Sequence, residues 1–195
     1  MIFGDHVVTA EVLARRIADN LGVELVSAGV RFVGKDRPWT DAVRRILQKL
    51  GDELGMDTHH QLATKGTEKL YDLVWLRRGR MQLALESEWN RRPDEIAYDF
   101  EKLLYAKAPL KVCIHTRQKQ EKETLKRLEA ILMAHRSHVE AEEYVIVRIS
   151  DTERDRAVHA HSFRVPVVTD GTLPESVVEF TPVPSSPFTW AVPRH

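Results

Sequence analysis

The order of apolar patterns in this 195-residue chain predicts an α/β fold, a mixed sheet with helices on both faces. Three observations lead there. Short apolar runs rich in β-branched and aromatic residues fall at 71–76, 81–89, 110–115 and 144–149. Apolar stripes at three- and four-residue spacing accompany them, the mark of amphipathic helices. The resulting order, hairpin, helix, strand, helix, strand, requires right-handed crossovers that return each strand to one sheet and lay helices against it.

Leu13, Ile17 and Leu21 recur at helical spacing behind Thr9, a natural N-cap, and Gly22 supplies a stop, so the first helix is expected over residues 10–21. Val43, Ile46, Leu47, Leu50 and Leu54 define a second, entered through Thr40 and Asp41 and ended at Gly55. The runs 71–76 and 81–89 flank Arg77, Arg78, Gly79 and Arg80 and form a hairpin. Pro93 in a first turn, followed by Asp94 and Glu95 where a helix N-terminus favours negative charge, opens a helix with Ile96, Phe100, Leu103 and Leu104 as its buried stripe. The run 110–115 is a strand, 117–136 a charged helix with Leu125, Leu128 and Leu132 on one face, and 144–149 a further strand; 163–169 is a candidate for the last. Beyond Asp170 come Pro174, Pro182, Pro184, Pro187 and Pro193 with little periodicity. The expected organisation is one domain over 1–170, with a helical N-terminal part (1–60) and a core (61–170), followed by a proline-rich tail (171–195).

An apolar fraction of 43% and a charged fraction of 30% belong to an ordinary globular protein. Lys and Arg together number 29, as do Asp and Glu, so there is no global positive field and any nucleic-acid binding must come from local patches. The single cysteine, Cys113, lies in an apolar run and excludes an intramolecular disulfide; a cytoplasmic, reducing location is expected. No signal-like start and no run of about 18 apolar residues is present, so neither secretion nor a membrane span is expected. G-x-S-x-G, P-loop and G-x-G-x-x-G motifs are absent. His59, His60, His159 and His161 lack the spaced partners of a zinc site and read as solvated loop residues.

Acids interrupt two of the apolar runs. Glu86 and Glu88, two apart on one strand, point to the same face, while Leu83 and Leu85 point to the other. Asp72 stands on the preceding hairpin strand, in Tyr71-Asp72-Leu73-Val74-Trp75, where a carboxylate needs a reason. Like charges this close raise each other's pKa unless a cation or a shared proton intervenes. Mg²⁺ or Mn²⁺ suits such an open set of oxygen ligands. Standing alone, an E-x-E strand is more often a solvated face, with Asp72 paired to a hairpin arginine.

The stretch from Glu68 to His115 resembles the core of the PD-(D/E)XK, or restriction-endonuclease-like, nuclease superfamily. It does so through Asp72, through Glu86-Ser87-Glu88, and through Asp99-Phe100-Glu101-Lys102-Leu103-Leu104 before the strand at 110–115. About a quarter of the chain carries the likeness. The resemblance implies an αβββαβ core with an N-terminal helical extension, and Mg²⁺- or Mn²⁺-dependent hydrolysis of phosphodiester bonds in DNA. By it, Asp72 and Glu86 are metal ligands, the Ser87 carbonyl is a backbone ligand, and Glu88 is a catalytic residue standing where the family carries lysine. Glu88 there would accept the proton of the attacking water or hold a second metal.

Lys102 is the obvious substitute for that lysine, but the helical wheel turns it away from the stripe Ile96, Phe100, Leu103 and Leu104, with Asp99 at the flank. Glu53 is a further metal-ligand candidate from the N-terminal helix, though it lies in the charged turn Gly51-Asp52-Glu53, where such a residue is more often solvated surface. Arg77, Arg78, Arg80, Arg91 and Arg92 are candidate phosphate contacts or a solubilising turn. A homodimer suits cutting of both strands. Two other readings remain: a nuclease fold without catalysis, serving as a DNA-binding or assembly module, and a glycosidase using the same carboxylates, for which an aromatic content of 7% provides no sugar platform.

Overall fold

The computed structural model describes residues 2–3, 6–7, 9–28, 36–60, 70–90, 92–116, 121–139, 141–152, 155–166, 173 and 179–183. In chain order the elements are β1 (Ile2–Phe3), β2 (His6–Val7), α1 (Ala10–Ala28), α2 (Asp36–Glu53), β3 (Asp57–His60), β4 (Leu73–Arg77), β5 (Arg80–Glu88), α3 (Pro93–Leu104), β6 (Leu110–Thr116), α4 (Glu121–Ala134), β7 (Glu143–Thr152), β8 (Asp155–Arg164) and β9 (Thr181–Val183). The first two strands form their own small antiparallel pair, and β3 to β9 make a seven-stranded mixed sheet in sequence order. The α/β class expected from the pattern is therefore the class observed.

The sheet changes character along its width. The steps β3 to β4 and β4 to β5 are antiparallel, β5 to β6 and β6 to β7 parallel, and β7 to β8 and β8 to β9 antiparallel again. Only the parallel steps need helical crossovers, supplied by α3 and α4. Two successive right-handed crossovers moving the same way along a sheet leave both helices on one face. Ile96, Phe100, Leu103, Leu128 and Leu132 accordingly pack with Val74, Ala84, Cys113, Tyr144 and Ile146. The opposite face, with Leu73, Trp75, Leu85, Val112, Val145 and Val147, is covered by Leu13 and Ile17 of α1 and by Val43, Leu47 and Leu50 of α2.

Gly51 permits the closest of these contacts. A β-carbon there would lie 2.9 Å from Trp75 Nε1 and collide with the Thr58 hydroxyl, so only glycine lets α2 settle against β3 and β4. At the β4–β5 turn Arg78 (φ 50°) and Gly79 (φ 73°) both adopt the left-handed conformation of a two-residue hairpin loop.

Several expected boundaries move. The first helix continues through Gly22, which is buried, to Ala28, and packing overrides the glycine's weak helix preference. His59 and His60 stand on the edge strand β3 rather than in a loop, so the helical part expected over 1–60 also supplies a strand of the sheet. The last long strand is 155–164 rather than 163–169. Residues 181–183, placed in the tail by their prolines, pair with β8, an edge position where Pro182 loses no interior ladder bond. Among the described residues no helix is long and apolar enough to cross a membrane.

Candidate active site

Asp72, Glu86, Ser87, Glu88, Asp99 and Lys102 come together where β4, β5 and α3 meet. Alternation along β5 puts Ala84, Glu86 and Glu88 on the α3 side, and the Asp72 N–H donates to the Leu85 carbonyl at 3.1 Å, carrying the ladder one residue past β4. Ser87 secures Asp72 twice: its N–H at 2.9 Å and its hydroxyl at 2.7 Å both donate to Asp72 Oδ2. Glu86 is 3% exposed.

Lys102 corrects the helical-wheel expectation. Its ammonium sits 3.0 Å from Glu86 Oε1 and 2.9 Å from Asp99 Oδ1. A helix position turned away from the buried stripe still reaches the site when a long aliphatic stem ends in a charge with acids to meet. The ammonium is shared between the two acids and opposes the effect of burial on the Glu86 carboxyl.

One ammonium does not neutralise four carboxyls. Burial raises the Glu86 pKa to about 8, with Lys102 opposing and the charges of Asp72 and Asp99 adding to the rise. Burial likewise raises Glu88, opposed by the Asn90 N–H and reinforced by Asp99 and Glu95. Asp99 is raised by burial against the pull of Lys102. For Lys102 burial works against the charge, but Asp99 and Glu86 overrule it and lift the pKa above the usual lysine range. Glu86, Glu88 and Asp99 are thus all raised, as burial of acids at close quarters requires.

The donor set fits a divalent ion on chemical grounds: hard oxygens only, with four acids gathered around one ammonium and burial raising the pKa of Glu86. Asp72 and Glu86 would hold it, with the Ser87 carbonyl adjacent. Among the described residues no group of three or more His, Cys, Asp or Glu side chains is assembled in ligating geometry. Lys102 and Ser87 instead occupy the carboxylates.

The remaining candidates do not join. Glu53 ends α2 on the opposite face of the sheet and pairs with Arg16. Arg77, Arg78 and Arg80 stand at the far end of the hairpin: six residues of extended chain separate Arg80 from Glu86, about 20 Å. They were expected beside the acids because they are near in sequence, but a strand carries them away. Arg92, at the site's end of β5, is exposed and pairs with Glu95 at 3.5 Å. Arg91 lies outside the described residues. Sequence reasoning missed Tyr71, buried near Glu86 and Lys102 and raised in pKa chiefly by burial, and passed over His115 and Arg148, polar positions inside apolar strands. A cavity of about 750 Å³, lined by Leu104, Ala108, His135, Val139 and Glu142 among others, opens at the opposite end of the parallel strands and contains none of these acids.

The chain matches no family model, no curated protein and no solved structure.

Proposed function

We propose that the protein is a divalent-metal-dependent nuclease that hydrolyses phosphodiester bonds in DNA, with Asp72 and Glu86 as the metal pair. The observation that carries the reading is the buried Glu86 carboxyl beside Asp72, in a cluster whose four acids face the single Lys102 ammonium. The succession α2, β3, β4, β5, α3, β6 supports it, because helix, antiparallel three-strand meander, helix and parallel fourth strand are the order that the resemblance calls for. The lysine absent from the strand is supplied in space by Lys102 of α3.

Each side chain then has a task. Asp72, held by Ser87, and Glu86 provide oxygens on one face. A divalent ion bound there supplies positive charge to the scissile phosphate and makes a bound water more acidic. The Lys102 ammonium orients the attacking water and neutralises charge on the phosphoryl oxygens. Glu88, on the same face as Glu86, would accept the proton of the attacking water, a general-base role worth about 10² to 10⁴ in rate. Two-fold pairing belongs to the same proposal, since one such centre cuts one strand.

Nicking of supercoiled plasmid in Mg²⁺ or Mn²⁺ tests the reading, alongside calorimetric titration with Mn²⁺. Wild type should nick and bind. Glu86→Gln should lose both, and Lys102→Met should keep Mn²⁺ while nicking falls at least about 100-fold. Nicking by Glu86→Gln at the wild-type rate overturns the assignment. The satisfied state of Asp72 and Glu86, engaged by Ser87 and Lys102, favours one second reading, a nuclease fold retained as a DNA-binding or assembly module. That reading requires DNA binding without Mn²⁺ binding.

A further inference from the structure

The cavity at the far end of the parallel strands has walls fixed by backbone and apolar side chains left in water. Its lining comes from the turn after α3, the segment after α4, the start of β7 and the end of β8. Hydrogen bonds join these pieces. The Glu143 N–H donates to the Pro109 carbonyl at 2.8 Å, the Ala141 N–H to the Val165 carbonyl at 3.1 Å, and the Val165 N–H to the Glu142 carbonyl at 2.8 Å. A volume of about 750 Å³ bounded by paired backbone has the size and the fixed walls of a preformed small-molecule site.

Most of the lining is apolar and small. Ala106, Ala108, Pro109 and Ala141 leave space that larger side chains would fill. Tyr105 and Val139 also line it, 75% and 61% exposed, and large apolar side chains left so open mark a surface with something to bind. Tyr105 meets the His135 ring edge-on with centroids 5.3 Å apart, and His135 meets His138 at 4.9 Å, so one wall continues inward as a run of rings. Burial first, then the charges of His138 and Lys111, lower the His135 pKa, and burial lowers His138 as well. That wall is uncharged at pH 7.

Charge at the rim is positive. Glu142 is already matched by Lys111 at 2.7 Å. Against the remaining acid, Glu143, stand two cations of the lining: Arg164, exposed and only 3.9 Å from Glu143, and Lys107, exposed and without an ion-pair partner among the described residues. Pro109 bonds to Glu143 and Glu143 lies in register with Arg164, so about 10 Å of sheet separates Arg164 from the chain two residues past Lys107. Both long arms fall within reach of a common anionic group, whereas a cationic ligand would meet like charge. We propose that this cavity binds a small organic anion with an aromatic body, its rings against Tyr105, His135 and Val139 and its anionic group between Lys107 and Arg164. Neither Asp72 nor Glu86 lines the cavity, so the inference does not rest on the nuclease reading.

The test uses the full chain and two fluorescent probes that share an apolar body and differ in charge, the anion 1-anilinonaphthalene-8-sulfonate and the neutral N-phenyl-1-naphthylamine. Near pH 7 the anion should bind with single-site saturation and at least about tenfold more tightly than the neutral probe. Combining Lys107→Gln with Arg164→Gln should bring the two affinities together and leave the neutral probe unchanged. Val139→Trp, which puts a ring into the space, should abolish binding of both. All three positions are exposed, so the variants remove no core packing. Failure of both probes to bind wild type, affinities within about threefold of each other, anion binding untouched by loss of the two cations, or binding that survives Val139→Trp overturns the inference. A wild-type dimer that Val139→Trp dissociates, read by sedimentation, does so too, because a second copy of the chain is then the occupant.

Discussion

Two lysines on the same side of the sheet, Lys111 buried and Lys102 half-buried, make opposite arrangements. Lys111, 1% exposed on β6, meets one carboxylate, Glu142 at 2.7 Å, and the Tyr144 hydroxyl at 3.1 Å, with its ammonium 4.8 Å from the Tyr144 ring centroid. Tyr144 in turn donates to Glu142 at 3.2 Å. Lys102 on α3 meets Glu86 and Asp99, with Asp72 and Glu88 close behind. The first set balances one cation against one anion; the second carries surplus acid. The pKa directions follow: burial lowers Lys111 despite Glu142, whereas the acids lift Lys102 despite burial. A balanced pair closes on itself and holds structure. A surplus leaves room for a further cation.

Breaking the balanced set should have the largest effect on stability. Lys111→Met strands the Glu142 and Tyr144 polar groups beside apolar core, and urea denaturation should show a loss of about 3 kcal/mol or more, with Mn²⁺ binding by the folded fraction unchanged. The surplus set should instead respond to pH. Glu86 binds its proton more tightly folded than unfolded, so its contribution to stability is fully present below about 4.5 and lost as pH rises through about 8. Wild type should therefore lose stability across that window, by about 2 to 4 kcal/mol, and Glu86→Gln should flatten most of the slope. Denaturation series from pH 5 to 9 compare the two; parallel curves would mean that Glu86 titrates normally.

A divalent ion should oppose that same loss. At pH 8 and about 100-fold above its dissociation constant, Mn²⁺ should stabilise wild type by about 2.7 kcal/mol, seen as a rise in Tm that Glu86→Gln lacks. Because Glu86 must release its proton, binding should liberate protons below pH 8, measurable as a buffer-dependent heat. The smallest effect is expected at Ser87. Ser87→Ala deletes the hydroxyl donor to Asp72 but keeps the backbone N–H, so the loss should be about 1 kcal/mol. A much larger loss would make the hydroxyl the main hold on Asp72.

The acids were legible because they break a strong pattern: Asp72, Glu86 and Glu88 interrupt apolar strand runs, and period-two alternation alone puts the two glutamates on one face. Residues whose roles depend on side-chain reach or strand length were misplaced. Lys102 was turned outward by a wheel that ignores a four-carbon stem, and the hairpin arginines were kept near the acids by sequence distance although β5 carries them about 20 Å off. Arg148 and His115, in register with Glu88 across β7 and β6, carried the same signal as the acids, a polar residue at an inward strand position, and were passed over because nothing along the chain connects them to Glu88.

By itself, then, the sequence determined the α/β class, the helix-crossover order and the acidic pair, all of which rest on local periodicity and on the sterics of chain connection. Tertiary structure alone decided that Glu53 falls on the opposite face from the acids, that residues 57–60 and 181–183 complete the sheet, and that Lys102, Asp99, His115 and Arg148 share one end of one face. Those outcomes depend on which strands become neighbours and in what register. Hydrogen bonding between distant segments sets both, and no window of sequence contains the two partners at once.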